Sequence, residues 1–155
     1  MKTCSAILLC LLSLTLTIQA QNITSLEKIG AVASFTKSEK GVTFNCRDNS
    51  QVQVTVLTPD LVRVRASFAK SIPTRDHSWA VAKENWETPP WALSETAEAV
   101  TIATAELEVV VHRSPLLIDF RDARTHKVIN ADEQPMAYDA KGALAQMMFD
   151  PKAGM

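Results

Sequence analysis

Apolar and polar residues alternate with a period of two through most of the segment 42–68. A period of two places every apolar side chain on the same face of a β-strand. The apolar members are Val42, Phe44 and Cys46, then Val52, Val54 and Val56, then Val62, Val64, Ala66 and Phe68. Because a slip of one residue would turn Arg63 and Arg65 into the interior, the register of these strands is well specified.

Short polar clusters separate these alternating stretches. The first cluster is Asp48-Asn49-Ser50 and the second is Thr58-Pro59-Asp60. Such residues favour turns, because their short side chains bond to nearby backbone groups and proline presets its φ angle. The segment is therefore predicted to form three strands of an antiparallel meander.

The same alternation returns later in the chain. Further strands are predicted over 99–103, 106–112, 116–121 and 127–131, and a weaker candidate lies upstream at 29–36. Helical spacing of apolar residues occurs only over 141–149. Short strands joined by turns are typical of an all-β sandwich. We predict an antiparallel β-sandwich over 41–139, reached through a lead-in at 21–40 and continued by residues 140–155 as an incomplete piece.

The first twenty residues have the pattern of a secretory signal peptide. Lys2 precedes an apolar run over 6–18, and Ala20 is a suitable last residue before cleavage. Lipidation at Cys10 is the rival interpretation, which the large Leu9 before it disfavours. The mature protein is therefore expected to be secreted or periplasmic. Its only remaining cysteine is Cys46, so no internal disulfide is expected.

Charge gives no indication of a polyanionic partner. The formal net charge is −1, and basic and acidic residues are interleaved along the chain. Nucleic-acid binding and attachment to anionic membranes both depend on clustered basic residues. We expect neither nucleic acid nor, after signal cleavage, a membrane as a partner.

No catalytic, metal-binding or cofactor-binding pattern is found in the sequence. The histidines at 77, 112 and 126 lie far apart, and no phosphate-binding glycine loop or nucleophile elbow is present. A glycosidase needs two carboxylates placed about 5–9 Å apart. The candidates are Asp60, Asp76, Glu84, Glu87, Asp119 and Asp122. Because each lies in a turn, in a polar loop or on the outer side of a strand, all are interpreted as solvated acids.

All three tryptophans lie in a loop-like run over 75–91. Trp79 belongs to a short strand-like piece, which indicates packing. Trp86 and Trp91 flank Pro89 and Pro90, which stiffen the segment. For these two tryptophans, packing on the sandwich, contact with another domain and stacking on a sugar are all open. They are the candidate substrate-binding residues.

The order of the strands resembles the N-terminal domain of glycoside hydrolase family 31, the α-glucosidases and α-xylosidases. The segment LTPDLVRVR at 57–65 is similar to the strand, turn and strand that open that domain. Similar strand patterns follow at 78–81, 100–104, 107–111, 115–122 and 128–132. One departure is the hairpin at 124–126, where the family often has glycine and this chain reads Arg-Thr-His. Without glycine, a positive φ angle is not expected there.

The resemblance implies a β-sandwich of the galactose-mutarotase-like type, packed against a (β/α)₈ barrel that carries the catalytic aspartates. No residue of this chain matches the catalytic motifs, so none is assigned a catalytic role. The resemblance thus implies the N-terminal, non-catalytic domain of an exported α-glycosidase, truncated before its barrel, whose partner is carbohydrate through the parent enzyme. A free-standing carbohydrate-binding or adhesion module is the alternative.

Overall fold

The computed structural model describes residues 26–68, 72 and 86–138. These residues form eleven β-strands and no helix. The strands are β1 Glu27–Lys28, β2 Val32–Lys37, β3 Gly41–Cys46, β4 Gln51–Thr58, β5 Leu61–Ser67, β6 Ala92–Glu95, β7 Ala99–Ala103, β8 Leu107–His112, β9 Ile118–Asp122, β10 Val128–Ala131 and β11 Ala137–Tyr138. The predicted all-β fold is confirmed.

Two antiparallel sheets make up most of the domain. One has four strands in the order β2-β3-β4-β5, and the other has five in the order β10-β9-β8-β7-β6. Neighbours in each sheet are consecutive in the sequence, so each sheet is a meander. The meander predicted over 42–68 supplies three of the four strands of the first sheet. A short ribbon of β1 and β11 joins the two ends of the described chain.

The register of the four-stranded sheet follows the alternation. Val54 lies opposite Val42 on β3 and Val64 on β5, whereas Gln53 lies opposite Thr43 and Arg65. Apolar residues therefore pair with apolar residues on one face, and polar residues pair on the other. Burying a valine side chain contributes roughly 1.5–3 kcal/mol, so the paired valines determine which face points inward.

The core is a single cluster of side chains from the inner faces of both sheets. Phe44, Val52 and Val54 of the first sheet and Ile102 and Ile118 of the second are fully buried. Trp91 and the inward residues of β5 are partly buried against this cluster. The predicted sandwich is therefore present, with both meanders contributing to one interior.

The hairpin between β9 and β10 differs from expectation. His126 adopts a φ of 56°, although the chain has no glycine there. The Asp122 carboxylate supports this conformation, because its Oδ1 accepts bonds of 3.0 and 2.8 Å from the backbone N–H groups of Arg124 and Thr125. The His126 N–H also donates to the Asp122 carbonyl at 2.8 Å. These local hydrogen bonds stabilise a positive φ angle that glycine would adopt without strain.

Several predicted features lie outside the described residues. They are the leader at 1–20, the strand around Trp79, the helical spacing at 141–149, and the carboxylates Asp76 and Glu84. Within the ranges that the structure describes, no helix is long and apolar enough to cross a membrane.

Candidate functional site

An open cleft of about 420 Å³ lies between the β2–β3 turn and the segment that leads into β6. The turn contributes polar residues, and the opposite wall contributes mainly apolar ones. The lining residues are Lys37, Ser38, Glu39, Thr88, Pro89, Pro90 and Trp91. The cleft therefore joins the end of the tryptophan-containing run to a turn that is about fifty residues away in the sequence.

Trp91 is held in this cleft by contacts with the β2–β3 turn. Its indole N–H donates a hydrogen bond of 3.0 Å to the backbone carbonyl of Glu39. The Lys37 ammonium nitrogen lies 4.6 Å from the centroid of the indole ring. An exposed cation–π contact contributes about 0.5–1 kcal/mol. Trp91 thus packs on the sandwich, as one of the three interpretations predicted, and also forms part of a cleft.

The turn opposite Trp91 is closed by its own hydrogen bonds. The backbone N–H and the hydroxyl of Ser38 both donate to the Gly41 carbonyl, at 2.8 and 3.1 Å. The Val56 N–H donates to the Lys40 carbonyl at 2.8 Å, which ties the turn to β4. Lys37 and Glu39 therefore project from a backbone that is anchored at both ends.

The two candidate tryptophans do not lie together in this cleft. Trp91 lines it, whereas Trp86 is half-buried and is not among the lining residues. The structure therefore unites Trp91 with Lys37 and Glu39, two residues that the sequence did not single out. No local pattern could reveal this grouping, because the two walls meet only in the folded chain.

A polar cluster occupies the outer face of β8 and β9. One oxygen of Asp119, Oδ2, accepts a bond of 2.8 Å from Arg121 and lies 3.0 Å from Nε2 of His112. The Asp119 side chain is only 13% exposed. Its interpretation as a solvated acid is therefore wrong, since two neighbouring side chains cover and bond the carboxylate. Exposed Asp60 and Glu87, in contrast, agree with that interpretation.

Asp132 is the acid that the sequence interpretation missed. It is 6% exposed, and its Oδ2 accepts a hydrogen bond of 3.0 Å from the Ile118 N–H. Its other oxygen is buried without a hydrogen-bond partner. Burial, with a smaller contribution from the nearby Asp119 charge, raises the pKa of Asp132 to about 6 against the lowering effect of the Ile118 bond. Because it is buried and does not line the cleft, Asp132 is not placed to meet a sugar there.

No group of three or more histidine, cysteine or acidic residues in the described part of the chain is arranged to hold a metal ion. The cleft itself contributes one carboxylate, that of Glu39, to its lining. Glycoside hydrolysis uses two carboxylates on either side of the scissile bond. Among the described residues, the lining of the cleft therefore lacks the pair of acids that cleavage requires.

The sequence profile of the glycosyl hydrolase 31 N-terminal galactose mutarotase-like domain matches residues 51–151. The chain belongs to this family. The family 31 domain match includes strands β4 to β11 and leaves out β1, β2 and β3. A search among curated proteins found no match.

Solved structures share the fold of this family 31 domain. A family 31 dextranase of Flavobacterium johnsoniae, solved with isomaltotriose, has a TM-score of 0.61 and 21% identity, over 70% of this chain and 13% of the dextranase. A cycloalternan-forming enzyme of Listeria monocytogenes, solved with a pentasaccharide substrate, has a TM-score of 0.53 and 16% identity, over 69% of this chain and 10% of that enzyme. The chain thus spans about an eighth or less of the length of these neighbours.

Proposed function

We propose that this chain is the non-catalytic N-terminal sandwich of an exported α-glycosidase. The match to the family 31 N-terminal domain over residues 51–151 carries the proposal. The described residues that line the cleft include one acid, Glu39, and not the pair that hydrolysis uses, which agrees with a non-catalytic role. In this role the domain packs against a catalytic barrel and positions it.

The proposed parent enzyme hydrolyses α-linked glucosides or xylosides with retention. Such an enzyme uses a carboxylate nucleophile, which forms a glycosyl-enzyme intermediate, and a second carboxyl group as acid and base. Both groups would belong to the barrel. The isomaltotriose complex of the dextranase and the pentasaccharide complex of the cycloalternan-forming enzyme support oligosaccharides as the substrate class.

Export is the second part of the proposal. The apolar run behind Lys2 is about a dozen residues long, which suits a cleaved leader better than the roughly 20 residues of a membrane-spanning helix. Fusing residues 1–25 to a phosphatase that is active only after export tests this part. The fusion should be active and processed near Ala20, and an inactive, unprocessed fusion would contradict it.

Carbohydrate contact through Trp86 and Trp91 is the third part, and it also underlies the alternative of a free-standing carbohydrate-binding module. The cleft beside Trp91 favours such contact, because it offers an aromatic ring among polar groups. The alternative differs from the main proposal in needing no catalytic partner.

The main proposal is tested by reading the coding sequence beyond codon 155, in the same and in shifted frames, and by assaying the purified chain. We expect a barrel-encoding segment and no turnover of aryl α-glucosides or α-xylosides by the chain alone. Turnover by the chain itself would refute the non-catalytic role. Absence of any barrel-encoding segment would favour the free-standing module.

A further inference from the structure

We infer that the cleft beside Trp91 binds a neutral oligosaccharide, with Trp91 on one wall and the side chains of Lys37 and Glu39 on the other. The inference rests on the proposed function and deepens it. It names Lys37 and Glu39 as the residues that hydrogen-bond the ligand, and it states that the ligand is uncharged. The cleft volume of about 420 Å³ falls within the range of small-molecule sites.

The lining matches the two kinds of surface that a pyranose ring presents. A sugar has apolar C–H faces and a rim of hydroxyl groups. Trp91 and the two prolines supply apolar surface, whereas Lys37 supplies a donor and Glu39 an acceptor. Thr88 adds a hydroxyl that can do both. A ligand that is only apolar would leave these polar groups desolvated and unpaired.

The charges of the cleft favour a neutral ligand. Lys37 and Glu39 carry opposite charges on the same turn, and they are the two ionisable residues among the described residues that line the cleft. An anionic sugar would be attracted by Lys37 but repelled by the Glu39 carboxylate, and a cationic sugar would be attracted by Glu39 but repelled by the Lys37 ammonium group. Hydroxyl groups can bond to both without an unpaired charge.

The site is largely formed before a ligand arrives. The hydrogen bond from Trp91 to the Glu39 carbonyl fixes the indole, and Pro89 and Pro90 restrict the backbone beside it. Less ordering is then needed on binding, which favours affinity. Lys37 is exposed, so its ammonium group can leave the ring and donate to sugar hydroxyls.

Calorimetric titration of the full chain with maltotriose tests the inference. Trp91→Leu keeps an apolar side chain but removes the flat ring, and it should weaken binding by about tenfold or more. Ile129→Ala is the control, because this exposed apolar side chain lies on β10 and does not line the cleft, and it should alter the Kd by less than about twofold. Glu39→Ala keeps the carbonyl that holds Trp91, so it tests the opposite wall with the fold intact and should also weaken binding.

Charged analogues separate this ligand class from others. Trigalacturonate and the glucosamine trimer should each bind about tenfold more weakly than maltotriose. Three results would each overturn the inference: no heat with maltotriose at about 10 mM, equal binding of the charged trimers, or equal effects of the Ile129 and Trp91 changes. A barrel-encoding segment beyond codon 155 would leave the proposed function standing in any of these cases. Sugar binding in the absence of such a segment would support the inference and count against the proposed function.

Discussion

Asp132 and Ile118 are joined by two hydrogen bonds across the end of β9. The Asp132 N–H donates to the Ile118 carbonyl at 3.1 Å, and the Ile118 N–H donates to the Asp132 carboxylate at 3.0 Å. Only one carboxylate oxygen is used in this way, while the other is buried without a partner. The pair therefore anchors the chain after β10 but leaves a buried charge that is incompletely compensated.

This arrangement predicts a pH-dependent contribution to stability. The pKa of Asp132 is about 6 in the folded protein, against 3.8 for an ordinary aspartate. The folded state therefore binds the proton more tightly, so stability falls as pH rises from about 4 to about 6, by on the order of 3 kcal/mol. Asparagine is uncharged at every pH. Asp132→Asn should therefore raise the free energy of unfolding above that of the natural chain by more at pH 8 than at pH 4.

Urea unfolding at both pH values measures this difference. Asp60→Asn is a control that should show little difference between these two pH values, because the Thr58 hydroxyl lowers the pKa of exposed Asp60 from its ordinary value of 3.8. The stabilising effect of the Asp60 carboxylate is therefore lost only at a pH below both measurements. An effect of Asp132→Asn that is the same at pH 8 and pH 4 would contradict the prediction.

The contrast between Asp132 and the valines indicates how much the sequence could predict. Two-residue alternation predicted the burial of Val52, Val54 and Val56, because the side of a strand is a local property. The burial of Asp132 depends on its bridge to Ile118, which lies on another strand. The pairing of Trp91 with Glu39 likewise joins residues that are 52 positions apart. The fold class was thus predictable from local pattern, whereas the cleft required the packing of the two sheets.

The close approach of β3 and β4 at Gly41 leads to a second prediction. A Cβ atom on residue 41 would lie 2.0 Å from the Val54 carbonyl oxygen, and the residue has a φ of +155°. Gly41→Ala must therefore displace β3 from β4 and should lower the free energy of unfolding by about 3 kcal/mol or more. Lys40→Ala is a neighbouring control at an exposed side chain, and it should change stability by less than about 0.5 kcal/mol. Comparable urea midpoints for the two variants would show that the strands tolerate a Cβ atom.

The turn around Asp122 supports a third prediction. Its Oδ1 accepts three hydrogen bonds, from the N–H of Arg124 and from the N–H and hydroxyl of Thr125. Asp122→Ala removes all three acceptor contacts next to the positive φ of His126, so the midpoint of urea unfolding should fall. Asp122→Asn retains an acceptor oxygen and should lower the midpoint less. An alanine variant as stable as the asparagine variant would show that the turn holds without the acceptor.

Cys46 gives a fourth prediction, which probes the core directly. The residue is 5% exposed on the inner face of β3, and burial raises the pKa of its thiol, against the lowering effect of a hydrogen bond with Ser50. The low exposure limits access of a reagent to the sulfur, and the raised pKa reduces the fraction of reactive thiolate at neutral pH. We therefore expect iodoacetamide to label Cys46 negligibly in the folded chain and fully above the urea midpoint, as measured by mass spectrometry of the peptide that contains it. The Gly41→Ala variant should be labelled at a lower urea concentration, because Gly41 and Cys46 lie on the same strand, β3. Rapid labelling of Cys46 without urea would show that the sandwich opens at this strand, and would place its stability well below that of a closed two-sheet core.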